Sequence, residues 1–263
     1  MTDVPGFTSE EFSFDGATRT VFRRGQGPAV VVMHEVPGIT PPVAAFATRV
    51  ADAGFSVYMP LMLGTPMRPV SGGYIASSVF RACISKEFRV LGANQSSPII
   101  DWLRALARLA HERHGGPGVG AIGMCLTGNF ALAMMLDSPT LAPVLSQPSL
   151  PFPVSKAAKS ALHASPREIA AAHEKIDKQG ARILGLRFHG DPACPAERFQ
   201  RLRAEFGEAF EAIEIDPKHA NPAGPKPPHS VVTNHLIDKE GEPTRAALDR
   251  VLSFFKEQLA PAA

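Results

Sequence analysis

The stretch Gly120-Ala121-Ile122-Gly123-Met124-Cys125-Leu126-Thr127-Gly128 decides the fold. The apolar run Val119 to Ile122 reads as a strand buried on both faces, and Leu126 to Leu136 reads as a helix. A turn this sharp brings the strand and helix backbones close together, which needs small residues. Gly123 and Gly128 stand where they are needed. The turn puts Cys125 at a helix N-terminus, where the positive end of the dipole favours thiolate, the reactive form. A free cysteine more often only packs, so Gly-x-Cys-x-x-Gly taken alone is weak evidence for a nucleophile.

Outward from this turn, strands and helices alternate. A hairpin of Glu11 to Phe14 and Thr18 to Arg23 flanks the turn-like Asp15-Gly16. The β-branched run Ala29 to Met33 is a buried strand, followed by a helix from Val43 to Ala53 that Gly54 closes. Strand Ser56 to Met59, helix Ile99 to Arg113, the Cys125 unit and strand Ala142 to Leu145 continue the pattern. Strands Arg182 to Phe188 and Phe210 to Ile215 bracket a helix at Ala196 to Phe206, and a last helix runs from Thr244 to Leu259. This order predicts parallel βαβ units in a mostly parallel eight-stranded sheet flanked by helices on both faces. The Pro/Gly-rich stretches Pro60 to Gly73 and Ala220 to Pro228 follow strand ends, where open α/β sheets bind ligands.

Composition narrows the classes. The 263 residues are 44% hydrophobic and 20% charged, enough to build a core, and a single domain over 1–263 is expected. The net charge of +2 comes without a basic cluster and argues against a nucleic-acid surface. The opening MTDVPGFTSEEF lacks a basic start and an apolar run, and no apolar stretch approaches the roughly 18 residues that span a bilayer. The expectation is a cytoplasmic monomer or small homo-oligomer acting on a small molecule. Cys83, Cys125 and Cys194 fit neither a disulfide framework nor a zinc motif. His111-Glu112-Arg113-His114 spaces its histidines three apart rather than the four of a zinc helix, so no metal is expected. Gly115 to Gly120 precedes a strand, whereas a dinucleotide fingerprint follows one, so it is a loop.

A nucleophile needs a base, and the base an orienting acid. Asp191 directly follows a strand end, in Gly190-Asp191-Pro192-Ala193-Cys194-Pro195, and a turn-forming aspartate is the plain alternative. Three histidines come after the last strand: His219, His229 and His235. His229, in Lys226-Pro227-Pro228-His229-Ser230-Val231, lies beyond a loop long enough to return over the sheet edge and is the chosen base; His219 is the main rival. The chain order Cys, Asp, His is that of α/β-hydrolases.

With these residues in place, nearly the whole chain resembles the dienelactone hydrolase family, and hence the α/β-hydrolase fold. His34-Glu35-Val36-Pro37-Gly38-Ile39, after strand Ala29 to Met33, resembles the family's Glu-x-x-Gly loop. That resemblance implies that Glu35 contacts the resting Cys125 and that the Val36 and Leu126 amides form the oxyanion hole. Thr127 departs from the family, which usually has glycine there. Residues 147–181, with Pro148, Pro151, Pro153 and a helix-like Pro166 to Lys178, are a candidate lid or oligomer contact. Arg81 is the one candidate for holding a substrate carboxylate, and Cys194 either lines the site, only packs, or is a redox partner of Cys125. The reading is a cysteine-dependent hydrolase of carboxylic esters or lactones that needs no cofactor. The alternatives are hydrolysis of phosphotriesters or haloacids in the same pocket, or a retired hydrolase fold serving in binding or redox sensing.

Overall fold

The computed structural model describes residues 3–75, 77–78, 97–149 and 155–260; Arg81 and Cys83 lie outside them. The sheet is built around β3 (Ala29–Met33), whose five residues are all fully buried. Alternation splits them between two cores. Val31 and Met33 join the cluster on one face, Val30 and Val32 the cluster on the other.

Eight strands run in the order β1-β2-β4-β3-β5-β6-β7-β8, as the sequence predicts in number and type. β1 (Thr8–Phe14) and β2 (Ala17–Arg24) pair antiparallel across Asp15-Gly16, whose φ of 48° and 76° suit a tight hairpin turn. β2 is antiparallel to β4 (Ser56–Pro60), and all further pairings, through β5 (Val119–Met124), β6 (Thr140–Ser146), β7 (Ile183–Phe188) and β8 (Phe210–Ile215), are parallel. From β3 the chain moves one way to β4 and then returns past β3 to β5. The carboxyl ends of β3 and β5 therefore face a topological switch point, the place where such sheets bind ligands.

α1 (Pro41–Asp52) and the last helix, α7 (Pro243–Leu259), cover one face through residues such as Phe46, Val50, Leu248 and Phe255. α2 (Pro98–His114), α3 (Phe130–Ala133), α5 (Pro166–Gln179) and α6 (Ala196–Phe206) cover the other, with Trp102, Leu106, Phe130, Ala172 and Phe199 in its core. The expected helix Leu126 to Leu136 is not continuous. A 3-10 turn, Cys125–Asn129, precedes the short α3, because the Thr127 hydroxyl caps the Met124 amide and tightens the first turn.

The described part of the segment 147–181 carries two helices, Lys156–Ser160 and Pro166–Gln179. α5 starts at a capping box in which Ser165 and Glu168 bond each other's backbone amides. Glu168 also accepts from Arg104 of α2 at 2.5 Å, a buried ion pair whose guanidinium donates as well to the Ala133 carbonyl. Arg198 of α6 holds the carbonyls of Pro148, Ala158 and Ala161, fixing the chain on either side of α4 (Lys156–Ser160). α4 packs against α6, and α5 against α3.

Candidate active site

Cys125 adopts φ 57°, in the left-handed region. A non-glycine residue there costs on the order of 1–3 kcal/mol and persists only where its surroundings hold it. They do so tightly: a Cβ on Gly123 would fall 1.9 Å from the Thr127 carbonyl oxygen, and one on Gly128 would fall 2.6 Å from Pro148 Cα. Both glycines are thus required by close approach, as the sequence suggests. The buried Thr127 hydroxyl accepts from the Met124 amide at 2.9 Å and lies 3.0–3.2 Å from the Met33, His34 and Met124 carbonyls. It ties the end of β5 to the end of β3, a task that the glycine usual at this position has no atoms to perform.

Asp191 follows β7 and is buried. Its Oδ1 accepts from the Ala193 amide at 2.9 Å, and its Oδ2 lies 2.6 Å from His229 Nδ1. That bond leaves Nε2 as the working nitrogen of His229. Nε2 is buried, and Cys125 lines the same cavity as His229. Burial opposes the imidazolium, but the charge of Cys125 and the hydrogen bonds that the ring donates to Asp191 and Cys125 outweigh it and raise the His229 pKa well above its ordinary value. His235 braces the loop: its Nδ1 accepts from the amides of His229 and Ser230 at 3.3 and 3.0 Å, and its Nε2 donates to the Pro225 carbonyl at 2.6 Å. His219 closes a 3-10 turn, Pro217–His219, and does not line the cavity.

Glu35 lines the cavity together with Cys125. Its carboxylate is 2% exposed and accepts from Ser230 Oγ, Thr233 Oγ1, Asn234 Nδ2 and Gln147 Nε2 at 2.5, 2.6, 3.0 and 3.4 Å. Four donors satisfy the buried charge, and three of them belong to the segment that follows His229, so Glu35 anchors the base's loop. The donor that reaches Cys125 Sγ is Ser149 Oγ, at 3.2 Å.

His34 organises the loop after β3. Its Nδ1 donates to the Glu35 carbonyl at 2.9 Å while Nε2 accepts from the Met62 and Leu63 amides at 3.0 and 3.2 Å; burial lowers its pKa to about 4. These groups surround a cavity of about 230 Å³ with Cys125 and His229 in its wall. Val36, Val70, Ile75, Leu126 and Pro227 make the wall largely apolar. Cys194 packs fully buried in the core beside α6, and burial raises its thiol pKa strongly, which keeps it protonated. Arg81 lies outside the described residues. Among the described residues no cluster of His, Cys, Asp and Glu is arranged to hold a metal ion, and no helix is long and apolar enough to cross a membrane.

Gln147, Ser149, Thr233, Asn234 and the bracing histidines were missed by sequence reasoning. Gln147 and Ser149 had a usable signal, because they directly follow the carboxyl end of β6. The others had none, since polar loop residues are ordinarily solvated.

Solved structures with this fold span almost the whole chain. A Klebsiella pneumoniae candidate dienelactone hydrolase aligns with a TM-score of 0.61 at 18% identity, covering 95% of this chain and 99% of its own. A dienelactone hydrolase-like promiscuous phosphotriesterase from metagenomic libraries aligns at 0.59 and 17%, covering 97% and 100%. Est1E from Butyrivibrio proteoclasticus aligns at 0.57 and 13%, covering 96% and 99%. At these identities the likeness concerns the fold. Among curated proteins none matches the sequence significantly. The dienelactone hydrolase family profile, however, matches residues 16–259, and the chain belongs to that family of α/β-hydrolases.

Proposed function

We propose that this hydrolase cleaves carboxylic esters or lactones through an acyl-enzyme on Cys125. The observation that supports the reading is the Asp191–His229 pair at 2.6 Å, with His229 and Cys125 lining one apolar cavity. The Cys125 sulfur attacks the carbonyl carbon, and the carbon–sulfur bond forms as the oxygen takes up negative charge. The Val36 and Leu126 amides, on the two loops that meet at the switch point, are the donors proposed for that oxygen; such a donor contributes roughly 3–4 kcal/mol to the transition state. The carbon–oxygen bond then breaks, and His229, whose raised pKa favours the imidazolium, gives its proton to the departing alkoxide.

Acylation removes the charge on Cys125, the first of the influences that raise the His229 pKa. A neutral imidazole is thereby favoured at the stage where a base is needed. It takes a proton from water, the hydroxide adds to the acyl carbon, and the thiolate leaves. A thiolate leaves readily, so activated esters and enol lactones suit the site best. The likeness to the promiscuous phosphotriesterase supports phosphotriesters as a second class of electrophile for the same sulfur. The test is hydrolysis of an aryl acetate, a dienelactone and a chromogenic phosphotriester by wild type, Cys125→Ala, His229→Ala and the control His219→Ala. Loss in the first two variants with activity kept in the control is expected; turnover that survives Cys125→Ala refutes the mechanism.

A further inference from the structure

Ser149 is the described residue of the segment 147–181 that enters the cavity. It is 2% exposed, and its hydroxyl donates to Cys125 Sγ at 3.2 Å while its amide donates to the Cys125 carbonyl at 3.0 Å. The residues before it leave little freedom. The Gln147 amide donates to the Leu186 carbonyl at 2.6 Å, Arg198 holds the Pro148 carbonyl at 2.6 Å, and Pro148 presses against Gly128. The other titratable groups about the sulfur are committed: Glu35 to its four donors, Asp191 to His229 and the Ala193 amide, and the buried Cys194 to the core.

The geometry points to Ser149 as a further catalytic residue, whose hydroxyl holds the Cys125 thiolate of the free enzyme as a fixed hydrogen-bond donor. This rests on the assignment of Cys125 as nucleophile. The donor is neutral and has no proton to lose near neutral pH, so it steadies the thiolate without competing for the proton that His229 carries. Once the sulfur is acylated the bond loses its charged acceptor. Ser149 therefore favours the thiolate over the thioester and assists its departure in the second half of the reaction.

The experiment is the pH dependence of Cys125 alkylation by iodoacetamide, in which a carbon–sulfur bond forms as iodide leaves, followed by mass spectrometry of the Cys125 peptide. A hydrogen bond to a charged acceptor is worth about a tenfold change in the thiolate–thiol ratio. The thiolate freed of that bond is more basic and about threefold more nucleophilic, given a Brønsted coefficient of about 0.45. Ser149→Ala should therefore alkylate about threefold more slowly than wild type where the thiol dominates and about threefold faster where ionisation is complete, so that the two profiles cross. Ser149→Thr should retain the wild-type profile, and comparison of Ser149→Thr with the isosteric Ser149→Val gives the same contrast if the alanine variant does not fold. Profiles that coincide, or that differ by one factor at all pH, overturn the role of Ser149. Hydrolysis that survives Cys125→Ala would instead overturn the nucleophile assignment, so the two failures are distinct.

Discussion

Acidification from about pH 7 to about pH 4.5 should loosen the loop after β3 through one buried imidazole, His34. Its Nε2 accepts two amides, so a proton there would set three N–H groups against one another. Burial lowers the pKa to about 4, whereas the unfolded chain titrates near its ordinary value of 6.5. Between these values the unfolded state binds a proton that the folded state refuses, so stability falls as pH falls through that window. The loss is about 1.4 kcal/mol per pH unit and approaches roughly 3 kcal/mol by pH 4. The assay is urea unfolding of wild type and His34→Gln at steps from pH 7 to pH 4.5. The glutamine carbonyl accepts from the same amides without titrating, and carboxylates elsewhere cancel in the difference. Wild type should lose its advantage over the variant progressively below about pH 6. A difference in unfolding free energy that is independent of pH would refute the reasoning.

Two further outcomes follow from the site. Gly123→Ala should destabilise the fold by roughly 3 kcal/mol or more, because its Cβ would sit 1.9 Å from a backbone oxygen that only a shift of the turn can move; an unchanged melting temperature would contradict the close approach. Cys125→Ala should lower the His229 titration midpoint seen by NMR, since the charge of Cys125 is a principal cause of its raised pKa; a midpoint equal to wild type would show that Asp191 alone sustains the imidazolium.

The periodicity and turn chemistry of the sequence were enough for the strands, their alternation with helices and the sharp turn at Cys125. These are local properties: β-branched runs at Ala29 to Met33 and glycines at 123 and 128 mean the same thing wherever the chain goes. Chain order, with the rule that sites form beyond strand carboxyl ends, was enough to propose Asp191 and His229 as partners of Cys125. Their union is a tertiary fact, since 38 residues separate the two ends of the 2.6 Å contact. The helix after Cys125 was overestimated because the Thr127 hydroxyl finds carbonyls at the end of β3, more than 90 residues away, that no local pattern reveals. Glu35 shows the division most plainly. Its position in Glu-x-x-Gly was legible, but its partners were decided by which donors the loop 230–234 brings within reach of a buried carboxylate. A buried charge takes the donors that the fold delivers, and sequence spacing does not encode which those will be.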